Sequence, residues 1–136
     1  MENCSLCNSI KEDQYRIFME NDYAVAMIIR EPQIDCHSII IVKRHVELLK
    51  ELTPKESKGV FELIENVVDH IDKTLNKQTL TMLNSPSGRS QKHIHFQLFP
   101  LEKGMGNRDL VSTQYKIPVY PETTKEQLIK MANTLK

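Results

Sequence analysis

The sequence predicts an α+β fold with a mainly antiparallel, five-stranded sheet, one long helix and a C-terminal helix packed on it. Three observations support this fold class. Short β-rich runs follow one another instead of alternating with helices, a long amphipathic pattern divides them into two groups, and a second amphipathic pattern ends the sequence. The 136 residues suit one domain of ordinary size, so we expect a single domain over residues 1–136.

The first group of β-rich runs predicts a hairpin and a third strand. The runs "YRIFM" and "YAVAMIIR" flank "END", which has the composition of a turn. Ser38 to Lys43, "SIIIVK", is a β-branched run bounded by loop residues, as is typical of a mostly buried strand. The following "RHVELLKEL" fits a short helical turn.

The long amphipathic pattern has a clear helix start. Thr53 can cap the helix, Pro54 fits the first helical position, and Glu56 completes a capping box. A helix from about 54 to 75 would be about 33 Å long, enough to lie across a whole sheet. Its apolar residues recur at helical spacing: Val60, Phe61, Leu63, Ile64, Val67, Val68, Ile71 and Leu75.

Two further strands and a final helix follow. Gln78 to Asn84, "QTLTMLN", alternates as a strand does, and so does "QKHIHFQLFP" after the polar loop "SPSGR". Residues 101–122 look irregular, with a short strand expected near 115–119. "TTKEQLIKMANTL" predicts an amphipathic helix with a second capping box, formed by Thr124 and Gln127, and these inward residues: Leu128, Ile129, Met131, Ala132 and Leu135.

Composition excludes several classes of protein. Lys+Arg and Asp+Glu are each 18, and this balance argues against a nucleic-acid binder with a strongly basic face. No apolar run approaches the roughly 20 residues of a membrane span, so we expect no membrane partner. The N-terminal "MENCSLCNSI" lacks the basic and apolar regions of a secretory signal, so a cytoplasmic protein is expected.

The cysteines do not suggest a disulfide framework. Their number is odd, and Cys4 and Cys7 form the C-x-x-C pair "CSLC". Metal binding and thiol redox chemistry are the two alternatives for this pair, whereas Cys36 is expected to be a small buried residue.

The stretch "SQKHIHFQLFP" carries the chemistry. Period two predicts that His93, His95 and Gln97 share one face of a strand, opposite Ile94, Phe96 and Leu98. Such a polar face is either solvated, which is the common fate of isolated histidines, or hydrogen-bonded or ligated. The preceding Ser- and Gly-rich loop can turn backbone N–H groups toward an anion. A neutral imidazole beside a phosphate can act as a nucleophile and form a phosphoramidate, whereas a glutamine can only donate or accept hydrogen bonds.

The sequence resembles the histidine triad (HIT) superfamily in three segments. Gly88 to Gln97 is similar to G-x-S-x-x-H-x-H-x-Q, the variant of galactose-1-phosphate uridylyltransferases; related dinucleoside polyphosphate phosphorylases also have glutamine third. Cys36 to His45, "CHSIIIVKRH", resembles the family segment G-H-x-x-x-x-P-K-x-H, and "CSLC" resembles its optional zinc pair. The match covers most of the chain through Pro100.

The resemblance implies a nucleotide or dinucleotide substrate and a role for each matching residue. His95 would be the nucleophile that forms a nucleotidyl-histidine intermediate, Gln97 would hold a phosphoryl oxygen, and Ser90 would donate to the phosphate or leaving group. The expected substrate-binding residues are Asn84, His37, Gly88 and Arg89, although Arg89 is equally well explained as a solvated side chain. A homodimer is expected, because the glutamine-type relatives carry two such domains in one chain.

The same resemblance implies a structural zinc ion. Its ligands here would be Cys4, Cys7, His45 and His93, a closed tetrahedral Cys₂His₂ set that ties the N-terminus to the strand of the nucleophile.

The sequence also departs from the family pattern. Cys36 replaces a glycine, Val42 replaces a proline, and Ile29 stands where an acid or amide binds ribose, so that role would pass to Glu31 or Asp35.

A hydrolase or nucleotidyltransferase is the first hypothesis, because His95, Gln97 and Ser90 match the family pattern. A nucleotide- or zinc-binding module with little or no catalysis is the second, and it is favoured by the missing ribose residue. A redox protein using "CSLC" is the third, because it would need the pair at the start of a helix after a strand, whereas the pair lies at the very N-terminus.

Overall fold

A computed structural model describes residues 4–84, 92–106 and 123–136 of the chain. Its elements are, in chain order, α1 (Ser5–Glu12), β1 (Ile17–Glu20), β2 (Ala24–Ile28), β3 (Ser38–Val42), α2 (Pro54–Leu75), β4 (Gln78–Asn84), β5 (His95–Leu101) and α3 (Lys125–Leu135). Short 3-10 turns precede β1 and α2. The predicted loop "SPSGR" and the predicted strand near 115–119 lie outside the described residues.

The five strands form one antiparallel sheet in the order β1-β2-β3-β5-β4. The predicted α+β fold class is confirmed, as are the hairpin and the buried third strand. In the hairpin turn, the Asn21 carboxamide oxygen accepts from the backbone N–H groups of Tyr23 and Ala24, which stabilises a tight turn locally. Every residue of β2 and of β3 is buried, since both faces of the sheet are covered at its centre.

Helix α2 spans the predicted residues because its start is fixed by several signals. Thr53 and Glu56 form the predicted capping box, and Pro54 occupies the first turn. Arg44 donates two hydrogen bonds to the Glu56 carboxylate, at 2.9 and 2.8 Å, and thereby joins the end of the β3 segment to the helix start. Asn76 ends the helix in the left-handed conformation, at φ 54°.

The two faces of the sheet are covered differently. Helices α2 and α3 pack on one face over the larger core, which includes Ala26, Ile40, Phe96, Val67 and Leu135. On the other face, Leu6 and Ile10 of α1 pack against a smaller apolar cluster composed of Val25, Met27, Ile39 and Ile41. The described residues cover the second face only in part, and the cavity described below opens there.

Two sequence expectations need correction. The C-x-x-C pair is not expected at the start of a helix, but Cys4 caps α1 and Cys7 lies in its first turn. Strand β5 begins at His95, so the period-two alternation does not extend to His93. The chain bends at residues 92 and 93, and the Ile94 N–H donates to the Val46 carbonyl at 2.7 Å. Among the described helices, none has the length and apolar character that a membrane span requires.

Candidate active site and metal cluster

A cavity of about 440 Å³ lies between α1 and the open face of the sheet. Ser5, Leu6 and Ser9 of α1 line one side. On the sheet side, His37 precedes β3, while His95 and Gln97 come from β5. Strands β3 and β5 are neighbours in antiparallel register, with Ile39 opposite Gln97, which brings residues far apart in sequence to one place.

The hydrogen bonds of His95 determine which of its nitrogens can react. Its Nδ1 lies 2.9 Å from the His93 carbonyl oxygen. A carbonyl can only accept, so Nδ1 carries the proton and Nε2 keeps its lone pair. Burial lowers the pKa of His95 and favours the neutral ring. The side chain is 6% exposed, so the earlier alternative of a solvated polar face does not hold for this residue.

His37 is almost fully buried beside Gln97. Its Nε2 lies 2.7 Å from Gln97 Oε1, and its ring stacks on Phe99 with centroids 4.1 Å apart. Burial lowers the pKa of His37 to about 4. The preceding Cys36 has φ 60°, a left-handed conformation that glycine adopts without strain, which explains why glycine is the usual residue at this position. Burial also raises the pKa of the Cys36 thiol to about 12, so this thiol is inert.

Two arginines bring positive charge to the cavity wall. Arg16 is buried and donates to the Ile28 carbonyl at 2.8 Å and to Asp13 at 3.1 Å; Arg30 also donates to Asp13, at 2.9 Å. Although burial alone would raise it, hydrogen bonds from Arg30 and Arg16 hold the pKa of Asp13 below its usual range. Both arginines line the cavity, as does Glu31. The carboxylates of Asp13 and Glu31 balance these two positive charges.

Four residues converge in a potential metal-binding cluster next to the cavity. They are Cys4, Cys7, His45 and His93, and all their ligand atoms lie within 4.8 Å of one another. His93 Nδ1 lies 3.4 Å from Cys4 Sγ and 3.3 Å from Cys7 Sγ, and His45 Nδ1 lies 3.4 Å from Cys7 Sγ. Sulfur and nitrogen ligands of a tetrahedral zinc ion lie about 3.6 Å apart, given their bond lengths to the metal. The four residues therefore fit that ion.

The tautomer of His93 also suits a metal. Its Nε2 lies 2.8 Å from the Val42 carbonyl oxygen, so Nε2 carries the proton and Nδ1 faces the two sulfurs with its lone pair. Burial lowers the pKa of His93 and keeps the ring neutral, as a ligand must be. Burial and the neighbouring Cys4 raise the pKa of Cys7. His93 Nδ1 lies within 3.4 Å of both sulfurs and His45 Nδ1 within 3.4 Å of the Cys7 sulfur, which favours metal binding over the redox hypothesis for "CSLC" even though the pair starts a helix.

The remaining predicted site residues are only partly described. Gly88, Arg89 and Ser90 lie outside the described residues. The backbone of Asn84 pairs with that of His95 across β4 and β5. The two candidates for ribose binding, Glu31 and Asp35, differ in position. Glu31 lines the cavity, as does Ile29, whereas Asp35 is not among the described residues that line it.

Sequence reasoning missed the contribution of α1 to the cavity. The signal was present but short: Leu6 and Ile10 are four residues apart and form one apolar stripe on an eight-residue helix. Cysteine is not among the usual N-cap residues, so the start of this helix carries no standard mark. The role of Arg16 in lining the cavity depends on folding and has no sequence signal.

Comparisons with known proteins agree with this geometry. Residues 11–104 match the HIT domain family. A bis(5′-nucleosyl)-tetraphosphatase [asymmetrical] of Schizosaccharomyces pombe is 24% identical over 103 residues, which is 73% of this chain and 57% of that relative's length. A zinc-bound histidine triad family protein from Mycobacterium smegmatis has a TM-score of 0.72 at 15% identity, covering 98% of this chain and 94% of the other.

A solved uridylyltransferase is also similar, with a TM-score of 0.71 at 20% identity over 98% of this chain. The match covers 45% of the uridylyltransferase chain, so this chain spans about half of it. At such identities the solved structures establish the fold alone. The family match over most of the chain, together with the cavity and cluster above, establishes that the protein belongs to the HIT domain family.

Proposed function

We propose that the protein is a HIT-type hydrolase or nucleotidyltransferase that attacks the α-phosphate of a nucleoside phosphate derivative. One observation carries this proposal: His95 donates its Nδ1 proton to the His93 carbonyl, so the unprotonated Nε2 belongs to a neutral, buried imidazole in the cavity. The nucleotide activities named for the tetraphosphatase and the uridylyltransferase add support by similarity.

The reaction would take two displacements at phosphorus. In the first, the Nε2 lone pair forms a P–N bond while the bond from phosphorus to the leaving-group oxygen breaks. In the second, the oxygen of water or another acceptor attacks phosphorus, the P–N bond breaks, and its electron pair returns to Nε2. When the acceptor is water, the proton that it loses in this step passes to solvent. Ser90 is the proposed donor to the leaving group, and Gln97 the proposed donor to a phosphoryl oxygen.

Residues of the cavity wall would hold the ribose and the phosphate groups of the substrate. We propose that Glu31, rather than Asp35, replaces the missing ribose ligand, because Glu31 lines the cavity together with Ile29. Arg16 and Arg30 supply positive charge on the same wall. Asn84, Gly88 and Arg89 are proposed to contact the phosphate, and His37 to lie against the nucleotide pocket.

We propose zinc as the occupant of the Cys₂His₂ cluster. A zinc ion bound there supplies structural stabilisation, since all four positions of its tetrahedron come from protein ligands. Cys4 and Cys7 hold α1, and His93 precedes His95 by two residues, so the cluster fixes both sides of the cavity relative to each other. Reduced thiol ligands suit the cytoplasm, which is the proposed compartment.

We further propose that the single domain forms a homodimer. Within the described sheet, β4 lies at an edge, and its Leu83 is 41% exposed. Phe61 of α2 is 54% exposed and contacts the ring of Phe96, the register partner of Leu83. This patch of Phe61 and Leu83 at the edge of the described sheet suits a second copy. Light scattering of Phe61→Lys should report a monomer; Leu49→Lys, at an exposed apolar residue elsewhere, is the matched control.

Trapping the covalent intermediate tests the proposed function. The zinc-loaded protein is incubated with labelled adenosine and uridine phosphate derivatives, quenched, and searched for an acid-labile adduct on His95. His70→Asn, on α2, is the control that should keep the adduct. If the folded, zinc-loaded wild type shows no adduct and no turnover with either nucleotide class, the enzyme proposal is overturned.

The alternative is a nucleotide- or zinc-binding module with little or no catalysis. The observation that favours it is Ile29, whose apolar side chain lines the cavity where relatives bind ribose. Micromolar nucleotide binding without an adduct would support this second function.

A further inference from the structure

The contact between His37 and Gln97 joins two residues that lie 60 positions apart. His37 is 1% exposed, and its backbone is held on both sides: its N–H donates to the Ile34 carbonyl, and its carbonyl accepts from the Ile29 N–H, both at 3.1 Å. Stacking on Phe99 leaves the ring little freedom. A ring fixed in this way can impose an orientation on a partner side chain.

The backbone around His37 selects its tautomer. The Gln33 N–H donates to His37 Nδ1 at 3.2 Å. A backbone N–H can only donate, so Nδ1 is unprotonated and, in the neutral ring, the proton lies on Nε2. Nε2–H therefore donates to Gln97 Oε1, at 2.7 Å.

This donor determines which way the Gln97 carboxamide is turned. The oxygen and nitrogen ends of a carboxamide have nearly the same shape, and only the hydrogen-bond network distinguishes them. A flipped carboxamide would bring its NH₂ against Nε2–H, so that two donors would face each other. With Oε1 turned toward His37, the NH₂ group lies at the opposite end of the carboxamide.

We propose that His37 is a positioning residue for the reaction: its Nε2–H turns the Gln97 carboxamide so that the amide N–H groups donate to a phosphoryl oxygen of the substrate. This inference rests on the proposed function. It assigns a role to His37, which the family resemblance placed only close to the nucleotide pocket. The result is an uncharged donor whose orientation is set by the Nε2–H of His37. Among the described residues, the other titratable or charged groups that line the cavity are Arg16, Arg30, Glu31 and His95.

A double-mutant cycle separates positioning from general structural support. His37→Leu removes the donor, whereas His37→Gln keeps an N–H at a similar reach and should restore the rate. Loss of one neutral hydrogen bond predicts about a tenfold lower kcat for His37→Leu. In a Gln97→Ala background the same change should have no further effect, because there is no carboxamide to orient. An equal loss of kcat in both backgrounds would overturn the proposal.

Nuclear magnetic resonance of ¹⁵N-histidine-labelled, zinc-loaded protein tests the tautomer without any substrate. Wild-type His37 should carry its proton on Nε2 and should not titrate between pH 8 and about pH 5.5. Gln97→Glu places a carboxylate against Nε2–H and should bring the titration of His37 into this range. A protonated Nδ1 in the wild type, or an unchanged titration in Gln97→Glu, would overturn the proposal. Because no turnover is required, this failure is distinct from failure of the proposed function.

Discussion

His93 and His95 are two residues apart and expose opposite ring nitrogens. His93 donates from Nε2 to the Val42 carbonyl and turns Nδ1 to the cysteines, whereas His95 donates from Nδ1 to the His93 carbonyl and keeps the Nε2 lone pair. Both rings are buried, and burial lowers both pKa values. The difference therefore comes from which backbone carbonyl each ring meets, and it suits one histidine to metal binding and the other to nucleophilic attack.

Removal of the nucleophile should have the largest effect on activity. His95→Gly is expected to lower kcat/KM by about 10⁴-fold or more, because no other group can form the covalent intermediate. Added free imidazole should restore part of the rate by filling the space of the deleted ring. Steady-state kinetics with and without imidazole measures both effects. A variant that keeps wild-type turnover would exclude His95 as the nucleophile.

Removal of a cluster ligand should affect metal content and stability. Cys4→Ser is expected to weaken zinc binding by about 100-fold, which lowers the free energy of unfolding by about 3 kcal/mol under zinc saturation. Metal analysis and denaturant unfolding measure the two quantities. Cys36→Ser is the matched control, since Cys36 lies outside the cluster and should leave the zinc content unchanged. A zinc affinity of Cys4→Ser equal to that of the wild type, measured by competition with a chelator, would refute the ligand set.

His37 extends the comparison to a third ring, whose tautomer is fixed by the Gln33 N–H. Its pKa of about 4 lies below that of an unfolded histidine, about 6.5, so the unfolded state binds the proton first as pH falls. This contribution to stability is complete above about pH 6.5 and declines by about 3 kcal/mol as pH falls to about 4. The test is to measure the free energy of unfolding of the wild type and of His37→Gln between pH 7 and 4. An equal dependence of this free energy on pH in the two proteins would contradict the prediction.

Substitution of Cys36, which precedes that ring, should have the smallest effect. Cys36→Gly relieves the left-handed strain at φ 60° but removes a buried side chain, so the free energy of unfolding should change by less than about 1 kcal/mol. Cys36→Val places a β-branched residue in the same conformation and should cost about 2 kcal/mol. Thermal or denaturant unfolding of both variants checks the difference, and equal stabilities would argue against the strain.

Most of the fold follows from local patterns in the sequence. The capping box at Thr53 and the apolar spacing beyond it predict α2 correctly, and the β-branched run predicts β3. Helix α1 was missed because it is short and capped by a cysteine. The extent of β5 was overestimated, because period two cannot reveal the bends at residues 92 and 93 or the hydrogen bond from the Ile94 N–H to the Val46 carbonyl.

The candidate site was predicted less completely, because long-range contacts define it. The sequence motifs nominated the four cluster residues and the three residues His37, His95 and Gln97, and the structure brings each set together. The tautomer of His93 could not be predicted, because its partner Val42 is 51 positions away. The partners that select the tautomers of His37 and His95 are only four and two positions away, but these contacts depend on a local backbone conformation that the sequence pattern does not specify. The cavity wall formed by α1 was equally out of reach, since it depends on how the helix docks on the sheet.

The nitrogen that carries the nucleotidyl group tests the central claim most directly. The intermediate is trapped on ¹⁵N-histidine-labelled protein, and phosphorus–nitrogen couplings identify the bonded atom. The hydrogen bond from Nδ1 to the His93 carbonyl predicts a single adduct at Nε2 of His95. An adduct at Nδ1 of His95, or on His93, would contradict the assignment of these two histidines to separate tasks.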